Sequence, residues 1–299
     1  MNCAFLTSCD CVLRRNWFRS FSVNRKFTRN IKSLKRIYLS IQADSSQVDK
    51  TLLESDLALK YFQYKAIVCV HGFGATCGHW KHNIPYLSKV FGSVYAVDLL
   101  GFGASDKPSP VRTSVAYTFE EWAAQVNAFV KEVVQKPVIL IANSIGCIVA
   151  MQAAVESPEN YIGLVALNPS LRLLSKKKRR GLKALFATCI AALLRFQPNI
   201  GASLLRQKQS AQEVFVEFTN YSEGATPEEL LDKLRLPVAI LWGENDPWEP
   251  VTLGMNLKQF PCVRRFITLP KVGHCPHDEA PEVVNPLLED TIKDFMSSR

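Results

Sequence analysis

Several chemistries are missing from this chain. Its nine cysteines, at 3, 9, 11, 69, 77, 147, 189, 262 and 275, form no C-x-x-C pair and no Cys/His spacing suited to zinc. That argues against a zinc finger or a dithiol redox module, and points to a reducing compartment without structural disulfides. No apolar run is long enough to span a bilayer as a helix: the longest weakly polar stretch, Ala184 to Leu194, falls short of the required ~20 residues. Histidine is scarce, with five in the chain (71, 79, 82, 274 and 277), so candidates for a general base are few. Acid is almost absent from residues 1–43, which hold nine Lys/Arg against Asp10 alone and lack Gly and Pro.

What is present is globular. The chain has 299 residues, 47% hydrophobic and 21% charged, enough for a large core. The net charge of +9 would suggest nucleic acid, but residues 44–299 carry 27 bases against 26 acids. The excess sits in the leader, so no nucleic-acid partner is expected. An Arg-rich, Ser-containing, acid-poor leader without an apolar centre looks like an organelle transit peptide. Residues 1–43 are therefore read as a disordered leader outside the fold.

After it, apolar runs of strand length alternate with helix-length segments. The runs are Ala66–Val70, Ser93–Asp98, Pro137–Ala142, Tyr161–Asn168, Pro237–Trp242 and Arg264–Leu269. They are rich in Val, Ile and Leu without polar alternation, as central parallel strands covered on both faces should be. Helices are expected over Phe119–Val134, Ile145–Glu156 and Pro281–Phe295. The order predicts an α/β fold with a mostly parallel, doubly wound sheet. Its core would comprise residues 44–170 and 236–299. Residues 171–235 break the rhythm and are read as a short helical cap. Between Leu171 and Gln212 this insertion holds ten Lys/Arg and no acid, on a body that is otherwise acidic.

The run Pro137–Ala142 leads directly into Ala142-Asn143-Ser144-Ile145-Gly146 and then an apolar helix. A serine on a sharp strand-to-helix turn projects its hydroxyl, and needs small neighbours two residues away, here Ala142 and Gly146. The helix start behind Ser144 favours developing negative charge. A serine nucleophile needs a base. His274 follows the last strand run in Gly273-His274-Cys275-Pro276-His277, with His277 as its rival. The acid should also follow a strand. Asp246 in Trp242-Gly243-Glu244-Asn245-Asp246 is chosen, with Glu244 next. The end of the preceding strand holds Asn168, which carries no charge.

Three further features complete the pattern: His71-Gly72-Phe73-Gly74, Asp98-Leu99-Leu100-Gly101-Phe102-Gly103-Ala104-Ser105, and the order Ser144, Asp246, His274. Over roughly residues 60–299 the chain resembles the α/β-hydrolase fold family. Gly273 to Asn285 resembles its plant chloroplast branch, which includes pheophytinase. The resemblance implies an oxyanion hole from the backbone N–H groups of Phe73 and Ile145. It also implies a serine esterase without metal or cofactor, acting on a small apolar ester of lipid or phytyl type, in the chloroplast, with the mitochondrion as the alternative location. The chain departs from that branch in its cap, which is short, and in residues 44–65, where preceding antiparallel strands are hard to find beyond Leu57–Tyr64. An acyltransferase on the same triad, or a non-catalytic ligand-binding protein with a truncated cap, are the alternatives. An epoxide hydrolase or dehalogenase would carry a carboxylate in place of Ser144. The apolar, base-flanked segment Leu182–Phe196 is expected to cover a pocket or to rest on an anionic membrane surface.

Overall fold

The computed structural model describes residues 40–43, 65–108, 116–171, 214 and 224–297, the first four by backbone alone. Seven strands form one sheet in the order β1-β3-β2-β4-β5-β6-β7. They are β1 (Ser40–Ala43), β2 (Ala66–Val70), β3 (Val94–Val97), β4 (Val138–Asn143), β5 (Tyr161–Leu167), β6 (Val238–Gly243) and β7 (Val263–Leu269). Six run parallel, and β1 lies antiparallel against β3.

The lack of polar alternation has its cause in the layers. Alternate residues of each central strand enter opposite cores. Val68, Leu140, Ala166 and Ile240 pack on one face, beneath α2 (Phe119–Phe129), α3 (Ile145–Glu156) and α4 (Pro227–Lys233). Cys69, Ile141, Val165 and Leu241 pack on the other, beneath α1 (Ile84–Phe91) and α5 (Pro281–Ser297). Since both faces are buried, neither set of positions can be polar. Among the strands whose side chains are described, only β7, at the sheet edge, is half exposed. It carries Arg264 and Arg265, and Arg265 pairs with Asp290 of α5 at 2.7 Å. Edge charge of this kind blunts strand-to-strand association.

All six strand runs read from the sequence are strands, with ends shifted by a residue or so. Two boundaries move further. The expected helix Phe119–Val134 ends as an α-helix at Phe129 and widens to a π turn over Val130–Val134, closed by Gln135 at φ 55°. The sheet also begins before residue 44. Ser40–Ala43, assigned by composition to the leader, pairs with Val94–Val97. A four-residue edge strand offers too little sequence for an apolar pattern to register. The rest of the leader, Leu57–Tyr64 and Leu182–Phe196 lie outside the described residues. Of the insertion, α4 is helical, started by Thr226 and Glu229 in a reciprocal capping box with Pro227 at its first position. Its Leu230 and Leu231 are buried.

Parallel strands present all their carboxyl ends at one edge. His71, Asp98, Ser144, Asn168, Asp246 and His274 therefore lie on loops that leave the same edge, where α/β sheets bind ligands.

Candidate active site

Ser144 sits between the last residue of β4 and the first of α3 with φ 56° and ψ −123°. Few non-glycine residues adopt such angles, and the strain is of the kind concentrated at functional sites. Its neighbours hold it there. Ser144 N donates to Leu167 O at 3.0 Å, and Ser144 O accepts from Cys147 N and Ser170 N. Gly146 is small because a Cβ there would come within 2.5 Å of His71 O and 2.7 Å of Val70 O. A Cβ on Gly72 would stand 3.0 Å from that of Ser144. The loop carrying Phe73 thus lies against the turn that carries Ile145.

His71 is the staple of that loop rather than a base. It is fully buried, its Nδ1–H donates to Gly72 O at 2.7 Å and its Nε2 accepts from Leu99 N at 3.1 Å. Burial pulls it down to about 4, against the opposing pull of Gly72 O and Asp98, so it is neutral near pH 7. Asp98 folds the neighbouring loop. Its two carboxylate oxygens accept from Cys77 N and Ala104 N, and its carbonyl accepts from Ser105 Oγ and Gln125 Nε2. The Asp98–Ser105 signature is therefore scaffold.

Asp246 and His274 meet. His274 Nδ1 lies 2.6 Å from Asp246 Oδ2, and both residues are buried. Asp246 Oδ1 accepts from Trp248 N (2.8 Å) and Glu249 N (2.9 Å), and Oδ2 also accepts from Asn168 Nδ2 (2.7 Å). Burial alone would raise this carboxyl. The hydrogen bond and charge of His274, with the Glu249 and Trp248 amides, outweigh it and hold Asp246 below the usual carboxylate range. An ionised carboxylate is acceptor only, so Nδ1 of His274 carries the proton and Nε2 is left as the base. The rival acid Glu244 is exposed.

The two loops can approach because Gly243 lacks a side chain: a Cβ there would lie 2.1 Å from Gly273 O. Glu279 fixes the histidine loop, its carboxylate accepting from Gly273 N and Cys275 N at 2.8 Å each. Asn143 fixes it from the sheet, donating from Nδ2 to His274 O (3.0 Å) and Leu167 O (3.1 Å). Trp248 stands edge-on to His274, ring centroids 4.7 Å apart, and remains 41% exposed.

The rival base His277 faces away from this group. It is fully buried, stacks on Trp80 at 4.1 Å, and neither ring nitrogen has a hydrogen-bond partner among the described residues. Burial first, then the neighbouring His79, pull it down to about 3. Its folded pKa thus lies below the free value of 6.5, and the unfolded chain takes up the proton first as pH falls. The stability of neutral His277 is complete above about pH 6.5 and drains away towards pH 3. At about 1.4 kcal/mol per unit, roughly 2 kcal/mol is gone by pH 5. His277→Phe keeps the stack and removes the titration. Urea unfolding is expected to show this variant gaining on wild type between pH 7.5 and pH 5; an unchanged difference would refute the assignment.

Residues 67–287 match the profile of the Alpha/beta hydrolase family, about three-quarters of the chain. The chain belongs to that family. It is 26% identical over 255 residues to the uncharacterized hydrolase YugF of Bacillus subtilis, spanning 77% of this chain and 90% of that protein. It is 24% identical over 320 residues to the chloroplastic pheophytinase of Arabidopsis thaliana, spanning 78% of this chain and 66% of that one. Among solved structures, a membrane phospholipase A superposes with TM-score 0.62 at 20% identity over 92% of this chain and 90% of the other. A thermophilic esterase of Thermogutta terrifontis gives 0.57 at 20% identity over 78% and 90%. The sheet is thus that of the family, and the plant resemblance read from Gly273–Asn285 extends over most of the chain.

Nothing in the residue pattern marks Asn143, Trp248 or Glu279 for a role here, and Asn168 stands out only as an uncharged residue at a place for an acid. The one signal in the sequence is a polar residue closing an apolar strand, as Asn143 and Asn168 do.

Proposed function

We propose that this chain is a serine hydrolase that cleaves a carboxylic ester of an apolar, lipid- or phytyl-type substrate. The observation that carries this reading is the 2.6 Å contact of His274 Nδ1 with Asp246 Oδ2, beside a serine held at strained backbone angles. Ser144 Oγ attacks the ester carbonyl and His274 Nε2 takes its proton. The oxyanion is held by the backbone N–H groups of Phe73 and Ile145, worth a few kcal/mol of barrier each. Asp246 stays ionised and stabilises the imidazolium. His274 returns the proton to the departing alcohol. Water then attacks the acyl-enzyme by the same route, releasing the acid and restoring Ser144. No step calls for a metal or cofactor.

Aromatic side chains around the loops support an apolar substrate: Phe73 packs edge-on against Phe102 at 5.2 Å, and the partly exposed Trp248 stands edge-on to His274. Among the relatives are a monoglyceride lipase from Rattus norvegicus, 24% identical, and the pheophytinase. The basic leader supports a chloroplast address, which import of a fluorescent fusion of residues 1–43 would test. The base-rich segment 171–212 supports contact with anionic membrane, which would show as vesicle binding that rises with anionic lipid.

The decisive test is labelling of the full chain with a fluorophosphonate, followed by mass spectrometry. The adduct is expected on Ser144. Nitrophenyl esters of increasing acyl length, then phytyl esters, are expected to be cleaved with kcat/KM rising with apolar length. A folded protein that takes no label would overturn the reading.

A further inference from the structure

Asn168 occupies an unusual place. It closes β5, is fully buried, and has φ 44°, where glycine would be the easiest residue. Asparagine tolerates this conformation at some cost and brings an amide. Both ends of that amide are used. Oδ1 accepts from Gly243 N at 3.0 Å and continues the ladder past the end of β5 to the last residue of β6, while Nδ2 donates to Asp246 Oδ2 at 2.7 Å. The backbone of the same strand end accepts from Ser144 N through Leu167 O. The end of β5 therefore touches both the serine turn and the acid.

The bonds on Asp246 explain why such a contact matters. A carboxylate offers about four lone-pair sites. Here they receive four N–H groups: His274 Nδ1, Asn168 Nδ2, Trp248 N and Glu249 N. Two of these come from the acid's own loop and move with it. His274 comes from a second loop. Asn168 alone ties the carboxylate to a buried strand of the sheet, and it does so at the oxygen that meets the imidazole.

We propose that Asn168 is a positioning residue, whose side-chain amide anchors Oδ2 of Asp246 to the sheet and so aims it at His274. The proposal rests on the serine-hydrolase reading for its kinetic consequence. Asn168 touches no reacting atom and acts through Asp246. The other titratable neighbours of the pair are His277 and Cys275 on the histidine loop, Glu279 bound to that loop's amides, and Glu249 behind Asp246, where it accepts from Ser170.

The test is a double-mutant cycle read by the rate of fluorophosphonate labelling. Asn168→Gly suits the positive φ and removes only the amide. It is expected to slow labelling about tenfold in the wild-type background. In the Asp246→Ala background it is expected to cost less than about twofold, because the residue it acts through is gone. Equal losses in both backgrounds would mean a purely structural role and overturn the proposal. A second readout needs no variant. In 15N-edited spectra of the wild-type chain, one side-chain amide proton of Asn168 is expected far downfield, moving with the same midpoint as the His274 ring. An amide insensitive to that titration would overturn the proposal even if Asn168→Gly failed to fold. Should the wild type take no label, the serine-hydrolase reading fails, and the amide titration alone decides whether Asn168 anchors the pair.

Discussion

Replacing Ser144 by glycine is expected to yield a protein that is more stable than wild type and inactive. At φ 56° and ψ −123°, Ser144 holds a conformation that costs a side-chain-bearing residue about 1–3 kcal/mol. Glycine removes that cost, and returns about 0.5–1 kcal/mol of it through the greater freedom of the unfolded chain. The net gain is about 1 kcal/mol, a rise of about 2–4 °C in melting temperature for a chain of this size. Ser144→Ala loses the same hydroxyl but keeps the Cβ, so it should gain nothing. Both should lose about six orders of magnitude in ester turnover, because no second nucleophile stands at the turn. Thermal melts of the three proteins beside an ester assay decide the matter. Equal melting of the glycine and alanine variants would remove the strain argument. Appreciable turnover by either would remove Ser144 as nucleophile.

Asp246→Asn should cost about 10⁴-fold in kcat with little change in KM. Both oxygens of Asp246 accept, each from two N–H groups. An asparagine must present NH₂ on one side. Facing the loop, it meets the amides of Trp248 and Glu249. Facing inward, it meets Asn168 Nδ2 and His274, and drives the imidazole into the tautomer with its proton on Nε2. That ring cannot take the proton of Ser144. If the NH₂ turns to the loop instead, His274 keeps its tautomer but loses the charge that stabilises the imidazolium, and two donors are left unpaired in a buried site. Glu244 cannot step in, since it is exposed. A loss under tenfold would place the acid elsewhere. Steady-state kinetics separated into kcat and KM, with the melt of the variant, make the measurement.

The two segments with the most conspicuous motifs illustrate what sequence can convey. In Gly273 to Asn285, His274 is the residue that hydrogen-bonds Asp246. Glu279 holds the loop's amides, Asp278 pairs with Lys81 at 3.1 Å, and Asn285 accepts from Asn83 Nδ2 and donates to His82 O. The segment that suggested the plant branch is thus chiefly scaffold, which bears on ancestry more than on substrate. Likewise Asp98–Ser105 is a loop folded around one carboxylate. Such motifs were legible because a tight loop needs particular residues at fixed spacing, whatever the enzyme acts on.

The strand and helix order, the turn bearing Ser144, and the positions of Asp246 and His274 at strand ends are all legible in the residue pattern. These follow from local rules: unbroken apolar runs for strands buried on both faces, small residues at a strained turn, and a polar cluster where each strand stops. Which histidine meets Asp246, and that Glu244 stays exposed, follow from packing alone. His274 and His277 lie three residues apart, Glu244 and Asp246 two, and their environments diverge when the chain packs. One histidine meets a carboxylate and the other stacks on Trp80. The same holds for Asn168 and Asp246, whose hydrogen bond spans 78 residues of sequence. Their contact arises because β5 and β6 are neighbours in register, a pairing that no local pattern in either strand records.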